Sequence, residues 1–146
     1  MSFTPTGSAG RLEDQVCFAL YSAARAAQQA YRPLLDDLGL TYPQYLVLLV
    51  LWEQDGQTVS ALGDRLHLDS GTLSPLLRRL DEHGFITRER RSTDARRVTV
   101  HLTAAGEALR SRASEVQRCL LDAVSLPPED LMSLRDLSRR FAGSDL

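Results

Sequence analysis

The chemistry that this chain could carry depends first on its two cysteines. Cys17 and Cys119 are 102 positions apart and lack the CxxC spacing that zinc sites and thioredoxin-like exchange use. Tyr21 follows Cys17 by four positions, so the two side chains would be neighbours on a helix. A thiolate that accepts a hydrogen bond from a phenol is a candidate redox centre. The alternative is a small buried cysteine packed among core aromatic residues.

Two further tyrosines are candidates to contact that thiol. Tyr31 comes 14 positions after Cys17, which is about 21 Å along one helix, so the two side chains cannot touch within one chain. If two copies pack their first helices antiparallel, Tyr31 and Tyr42 of one chain could reach Cys17 of the other. Cys119 is then inert core, a resolving thiol for an oxidised Cys17, or a side target of oxidation.

A local excess of positive charge indicates a second kind of chemistry, contact with nucleic acid. All 17 basic residues are arginine, and the formal charge of the chain is −2. Between positions 78 and 97, however, seven arginines stand against four acidic residues, a local charge of +3. Such a patch suits DNA phosphates; the alternative is an ordinary solvated face. The seven are Arg78, Arg79, Arg88, Arg90, Arg91, Arg96 and Arg97.

The elements that must position these residues are mostly helices. Apolar residues recur every three or four positions from Leu12 to Leu38 and predict a long helix, which Pro33 should bend or end. Its apolar surface exceeds what one small core needs, so we expect it to serve a subunit interface. A nearly all-apolar helix over about 43–53, capped by Thr41, should be buried. Two later helices are predicted, one from a Thr103 cap to about Val124 and one from Pro127-Pro128 to near Phe141.

The middle of the chain alternates helix and strand signals in a recognisable order. Thr58 should cap a helix over 59–66, a turn follows at 67–69, and Ser70 or Thr72 should cap a helix that continues through His83 to a stop at Gly84. Short alternating runs at 85–90 and 97–102, joined by a polar tip at 91–96, predict a β-hairpin. The order predicts a mostly α fold with a small β-hairpin, a winged helix-turn-helix.

Polar side chains lie where such a motif would meet DNA. The hydroxyls of Ser70, Thr72 and Ser74 line the start of the second helix, the end that meets base edges, although helix capping accounts for one of them. Arg96 lies at the hairpin tip, two positions after Asp94. A guanidinium oriented by a carboxylate can enter a narrow minor groove. The alternative for this pair is a surface salt bridge of little energetic value.

Composition and motif searches exclude several classes of protein. With 43% apolar and 25% charged residues, the 146-residue chain has the composition of one globular domain. No apolar run is long enough for a membrane span, and the small, polar N-terminus argues against a secretory signal, so we expect a cytoplasmic protein. The three histidines lack ligand spacing and no catalytic or nucleotide-binding motif is present. We therefore expect no metal, no cofactor and no enzyme.

Several segments resemble the MarR family of dimeric bacterial regulators, and within it the organic-hydroperoxide-sensing OhrR-type branch. The resemblance covers about residues 11–141. Leu68 to Gly106, LDSGTLSPLLRRLDEHGFITRERRSTDARRVTVHLTAAG, resembles the DNA-binding core of the family. The more specific segments are QVCFALYSAARA around Cys17, YRPLL from Tyr31 and LGLTYPQYLVLLVLWE from Leu38.

The resemblance implies a homodimer whose reduced form represses a peroxide-detoxification gene by binding double-stranded DNA at an inverted-repeat operator. Cys17 stands at the position of the peroxide-reactive cysteine, and Tyr31 and Tyr42 at those of its tyrosine partners. Organic hydroperoxide would oxidise Cys17 to a sulfenic acid, shift the two wings and release DNA. By the same similarity, the expected DNA contacts are Ser70, Thr72, Ser74, Arg78 and Arg79 on the recognition helix and Asp94 and Arg96 in the wing.

Within this resemblance, residues 1–146 form one domain, with dimerisation helices at 11–38 and 103–141 and the winged helix-turn-helix at 57–102. In some members of the branch a second cysteine forms an intersubunit disulfide with the sensing cysteine; in others a small thiol caps it. We favour the disulfide for Cys119.

Two other functions remain open from the sequence. One is a repressor gated by a small phenolic or lipophilic ligand, in which Cys17 is structural. The other is a thiol peroxidase, which would leave the DNA-contact residues unexplained and lacks a Thr-x-x-Cys arrangement.

Overall fold

The computed structural model describes residues 10–90, 93 and 97–144. Asp94 and Arg96, the predicted wing-tip pair, lie outside the described residues. Within them the chain forms a short 3-10 helix, six α-helices and three strands. In chain order these are the 3-10 helix Leu12–Asp14, α1 Val16–Asp36, α2 Tyr42–Glu53, β1 Gln57–Thr58, α3 Val59–Leu66, α4 Ser70–Glu82, β2 Ile86–Arg90, β3 Val98–Leu102, α5 Ala104–Ala123 and α6 Pro128–Ala142.

Helix α2 is the centre of the core. Its sequence YPQYLVLLVLWE is apolar on every face, so the helix is stable only when other elements surround it. It contacts α1 and α5 on one side and α3 and α4 on the other. Thr41 and Gln44 form a reciprocal capping box, in which each side chain accepts a hydrogen bond from the backbone N–H of the other. The predicted burial of this helix and its Thr41 cap are confirmed.

Helices α3 and α4 and an antiparallel sheet form the predicted winged helix-turn-helix. Thr58 caps α3, and His67 ends it in the left-handed conformation, with a φ of 56°. Strand β2 pairs with β3 from Ile86 opposite Leu102 to Arg90 opposite Val98. Helix α5 begins at the predicted Thr103 cap.

The sheet has a third strand that the sequence analysis did not predict. Strand β1 is only two residues long and pairs with the far edge of β3, giving the order β1-β3-β2. The preceding turn is fixed by Asp55, whose Oδ1 accepts hydrogen bonds from the backbone N–H groups of Gly56 and Leu102, both at 2.9 Å. One carboxylate thus ties the end of α2 to the end of β3.

Three local predictions were wrong or incomplete. Asp69, rather than Ser70 or Thr72, caps α4: its Oδ1 accepts from the Thr72 backbone N–H at 2.7 Å. The first helix is divided at Gln15 into a 3-10 turn and α1. Of the two effects expected of Pro33, bending or ending the helix, the second does not occur, because α1 continues to Asp36.

Large apolar surfaces of α1, α5 and α6 have no covering partner within the described chain. Residues 16–30 of α1 are exposed apart from Leu20, and α6 contains no fully buried residue. Helices this exposed are not stable on propensity alone, so a second copy is expected to cover them. The exposed large apolar residues are Leu12, Val16, Phe18, Tyr21, Leu121, Leu126, Met132, Leu134 and Leu137. In the described part of the chain, no helix is both long and apolar enough to cross a membrane.

Replacing Leu137 with glutamine is expected to weaken self-association. Leu137 is 58% exposed in the single chain. Burial of a leucine side chain at an interface contributes favourable free energy, so replacing Leu137 should raise the dimer Kd by about tenfold to a hundredfold. Sedimentation velocity over a dilution series measures this Kd. Arg139→Gln, on another side of α6, is the matched control. Equal dimer Kd values for Leu137→Gln and wild type would contradict the assignment of this face.

Candidate redox site and nucleic-acid interface

Three tyrosines form a packed cluster between α1 and α2. The ring centroids of Tyr31 and Tyr42 lie 4.9 Å apart, and the Tyr45 ring lies 5.8 Å from Tyr31 and 6.3 Å from Tyr42. The capping box at Thr41 fixes where α2 begins and so positions Tyr42. The structure thus brings together the predicted Tyr31 and Tyr42. Tyr45 also belongs to the cluster and was not predicted. It lies three positions after Tyr42, a spacing that places two side chains next to each other on a helix.

The Tyr31 phenol is buried and hydrogen-bonded to α5. Its exposed fraction is 7%, and its hydroxyl donates to Gln117 Oε1 at 3.1 Å. Burial, with repulsion from the phenolates of Tyr42 and Tyr45, raises the pKa of Tyr31 to about 12. Burial also raises the pKa values of Tyr42 and Tyr45. All three phenols therefore remain neutral hydrogen-bond donors at physiological pH.

Cys17 lies far from this cluster within one chain. It is the second residue of α1 and is exposed. Because α1 is continuous from Val16 to Asp36, Cys17 and Tyr31 are separated by about 21 Å of helix, as the sequence analysis expected. Tyr21, one turn after Cys17, is also exposed, and the Arg25 guanidinium lies 5.5 Å from its ring centroid.

An open cavity gives access to the tyrosine cluster from outside the chain. It has a volume of about 430 Å³ and lies between α1 and the start of α2, with Tyr42, Arg25 and Arg32 among its walls. A side chain from a second copy could therefore approach the Tyr42 end of the cluster without displacing core residues.

Cys119 lies in the last turns of α5 and is partly exposed. Among the residues that the structure describes, no group of histidine, cysteine or acidic side chains is arranged to hold a metal ion.

The tyrosine cluster is connected to the base of the sheet through Trp52. The rings of Tyr45 and Trp52 meet edge to face at 6.3 Å, and Trp52 Nε1 donates to the Gly106 carbonyl at 3.0 Å. Gly106 is packed so closely that a Cβ there would collide with the carbonyl of Phe85. The contacts from α2 to α5 and to the start of the wing therefore have little free space.

The predicted DNA-contact residues of α4 lie on an exposed face beside the sheet. A shallow groove of about 250 Å³ is lined by Ser70, Gly71 and Ser74 of α4 together with Arg88 and Arg90 of β2. Hydroxyls and guanidinium groups converge here, as a surface that contacts phosphates and base edges requires. Arg88 also forms an ion pair with Asp81, with Nε and Oδ2 2.9 Å apart. Arg88 and Arg90 belong to the local positive charge found in the sequence, but were not singled out as site residues.

The remaining predicted contacts are exposed along the same helix. Thr72 lies in the first turn of α4, with its backbone N–H bound to the Asp69 cap. Arg78 is exposed and pairs with Glu82, with Nε and Oε1 3.9 Å apart. Arg79 is exposed one position further along. The spacing leaves the apolar Leu73, Leu77 and Leu80 of α4 buried against the core, while the polar residues face outward.

Comparison with known proteins identifies the family. A family model described as transcriptional regulator SarA/Rot matches residues 29–112. The organic hydroperoxide resistance transcriptional regulator of Bacillus subtilis (strain 168) is 45% identical over 125 residues, which span 86% of this chain and 85% of that protein. This chain belongs to the MarR/SarA family of transcriptional regulators. The predicted OhrR-type branch is confirmed by that identity.

Solved structures of the family share the fold. The structure of reduced AbfR bound to DNA has a TM-score of 0.73 and 35% sequence identity, covering 90% of this chain and 92% of that one. The structure of disulfide-formed AbfR has a TM-score of 0.65 and 35% identity, covering 90% and 93%. The predicted winged helix-turn-helix fold is confirmed.

Alkaline pH should destabilise this MarR/SarA-family protein through its tyrosine cluster. Since the pKa of Tyr31 rises from 10.0 to about 12 on folding, the neutral phenol stabilises the folded state below pH 10. This stabilisation is lost as the pH rises from about 10 to about 12. Urea unfolding across this range measures the loss. Tyr31→Phe should lower stability at neutral pH and flatten the alkaline decline; an unchanged alkaline slope would contradict the assignment.

Proposed function

We propose that this protein is a homodimeric, redox-sensing transcriptional repressor whose reduced form binds an inverted-repeat operator. An organic hydroperoxide oxidises Cys17, and the protein then releases its DNA. Two observations together carry this proposal. A buried Tyr31 and a half-buried Tyr42, both neutral, pack together beside an open cavity, and Cys17 is exposed on an uncovered helix. The names of the relatives, a hydroperoxide resistance regulator and a DNA-bound AbfR, support it.

The dimer supplies the missing contact between the thiol and the phenols. Segments 11–38 and 103–141 dimerise through the exposed apolar faces of α1, α5 and α6, and 57–102 contact DNA. Antiparallel packing of the two copies of α1 brings Cys17 of one subunit to Tyr31 and Tyr42 of the other. The two phenols donate to the thiolate and stabilise its charge, with Tyr21 packed one turn from Cys17.

The oxidation is a two-electron displacement. The Cys17 thiolate attacks the terminal oxygen of the hydroperoxide, the O–O bond breaks, and the alkoxide leaves with a solvent proton as the alcohol. Cys17 becomes a sulfenic acid, which no longer carries the charge that the two phenols stabilise. Cys119 of the other subunit then attacks the sulfenic sulfur, forming a disulfide and releasing water; a small cellular thiol capping Cys17 is the alternative.

The altered hydrogen bonds move the DNA-contact surfaces through α2. Tyr42 and Tyr45 belong to α2, and Trp52 at its other end contacts Gly106. A shift at the tyrosines changes the position of α2 and, with it, α5 and the wing. The two recognition helices and wings then no longer match the half-site spacing of the operator.

Both the recognition helix and the wing contact the operator. Ser70, Thr72, Ser74, Arg78 and Arg79 meet base edges and phosphates in the major groove. Asp94 and Arg96, outside the described residues, keep the wing role that the family resemblance implies, contact with the adjacent minor groove. Arg88 and Arg90 add phosphate contacts at the edge of the α4 groove. The protein is not an enzyme: Cys17 consumes peroxide stoichiometrically, and the regulator acts in the cytoplasm, where its DNA lies.

Cys17→Ser should retain operator binding but lose the response to peroxide, because a serine hydroxyl is not oxidised. Fluorescence anisotropy of reduced protein on the DNA upstream of its own gene, before and after a stoichiometric amount of organic hydroperoxide, measures both. Cys119→Ser is the matched control and should still release DNA. Wild-type release should reverse with dithiothreitol.

Two outcomes would change this assignment. If Cys17→Ser still releases DNA on peroxide treatment, the proposal is wrong. If wild type binds DNA tightly and ignores peroxide, a repressor gated by a small phenolic or lipophilic ligand replaces the redox sensor. A non-reducing gel tests Cys119: oxidised wild type that remains monomeric, with added mass on Cys17, excludes the intersubunit disulfide.

Arg90→Ala should weaken operator binding about tenfold and reduce the salt dependence of log Kd by about 1, as expected for one lost phosphate contact. Anisotropy titrations at several salt concentrations measure both quantities. Arg118→Ala, whose side chain pairs with Glu115 on α5, is the matched control. An unchanged affinity at matched salt would remove Arg90 from the interface.

A further inference from the structure

The hydrogen bond between Tyr31 and Gln117 has a consequence for the thiol chemistry. A phenol has a single proton to donate, and in the single chain the Tyr31 hydroxyl donates it to Gln117 Oε1 at 3.1 Å. The proposed function requires the same proton for the partner's Cys17. Tyr31 cannot donate fully to both acceptors. The orientation of the Gln117 side chain therefore determines whether the Tyr31 hydroxyl donates to Gln117 or to the partner's Cys17.

Glutamine suits this position because its side chain can either accept or donate. The amide oxygen and NH₂ group are nearly equal in size, so rotating the amide by half a turn replaces an acceptor with a donor at the same place. Gln117 is exposed in the single chain and lines a cavity of about 450 Å³ with Tyr45 and Trp52, which leaves space for the rotation.

We propose that Gln117 is a positioning residue that switches the Tyr31 hydroxyl between Gln117 itself and the partner's Cys17. With reduced Cys17, the Gln117 NH₂ donates to the phenol oxygen and the phenol donates to the thiolate, a chain in which each hydrogen bond polarises the next. After oxidation, the Tyr31 hydroxyl again donates its hydrogen bond to the Gln117 amide oxygen. The inference rests on the proposed function and extends the redox site to α5.

The same contact has a purely structural interpretation, in which it only ties α1 to α5. The two interpretations differ in what they predict for the thiol pKa of Cys17. A tie alone affects folding stability and leaves the thiol pKa unchanged, whereas a switch changes the thiol pKa according to how strongly residue 117 competes to accept the Tyr31 hydrogen bond.

Gln117→Glu and Gln117→Met separate the two interpretations. A glutamate carboxylate only accepts, so it retains the Tyr31 proton; it should raise the pKa of Cys17 by about 1 and slow its oxidation at neutral pH about tenfold. Methionine has a similar shape and cannot compete for the proton, so oxidation should stay within about threefold of wild type. The pH dependence of iodoacetamide alkylation, measured in full-length Cys119→Ser dimers, reports the pKa of Cys17.

Two controls separate the hydrogen bond from the added charge. Ser114→Asp places a carboxylate on the same cavity wall, one turn earlier on α5, and should leave the pKa of Cys17 near that of wild type. In a Tyr31→Phe background, Gln117→Glu should have no further effect. Operator binding by each reduced variant verifies that it is folded.

The inference is overturned if Gln117→Glu oxidises at the wild-type rate, if its effect persists without the Tyr31 hydroxyl, or if Ser114→Asp reproduces it. These outcomes are independent of the Cys17→Ser test. If the Gln117 variants oxidise at the wild-type rate and Cys17→Ser does not respond to peroxide, the switch is rejected and the proposed function stands. If Cys17→Ser still responds to peroxide, both are rejected.

Discussion

The burial of α2 is the constraint on which the rest of the structure depends. A helix that is apolar on every face must be surrounded, and this chain surrounds it with α1 and α5 on one side and α3 and α4 on the other. Tyr42 of the tyrosine cluster lies in the first turn of α2, and Trp52, in the last turn, donates a hydrogen bond to the Gly106 carbonyl. The candidate redox site and the candidate DNA-contact elements are therefore connected through one helix.

Surrounding α2 leaves other apolar surface uncovered. One chain has too few residues to enclose α2 and also to cover the outer faces of α1 and α6, so Phe18, Leu134 and Leu137 remain exposed. Among the described residues of the single chain, Cys17 is likewise exposed. Self-association would cover these apolar surfaces, and under the proposed function it would also complete the redox site.

Local sequence signals predicted most of the fold. They failed where several neighbouring residues could each cap the same helix, and where a structure depends on contacts between residues far apart in the sequence. Thr58 and Thr103 each stood alone as caps and were predicted correctly. Asp69, Ser70 and Thr72 are all good caps, and the sequence could not rank them. The two-residue β1 forms only because β3 offers it a free edge, and Gln117 meets Tyr31 across 86 positions. Neither has a local pattern, because both depend on tertiary packing.

The Asp55 carboxylate joins the far end of α2 to the wing. It anchors the turn after α2 to the Leu102 backbone N–H, which ties the end of this helix to strand β3. A helix of 12 residues is about 18 Å long, and a tilt of about 5° at the tyrosine end displaces the other end by about 1.5 Å. The position of β3 is therefore sensitive to small changes in the tilt of α2.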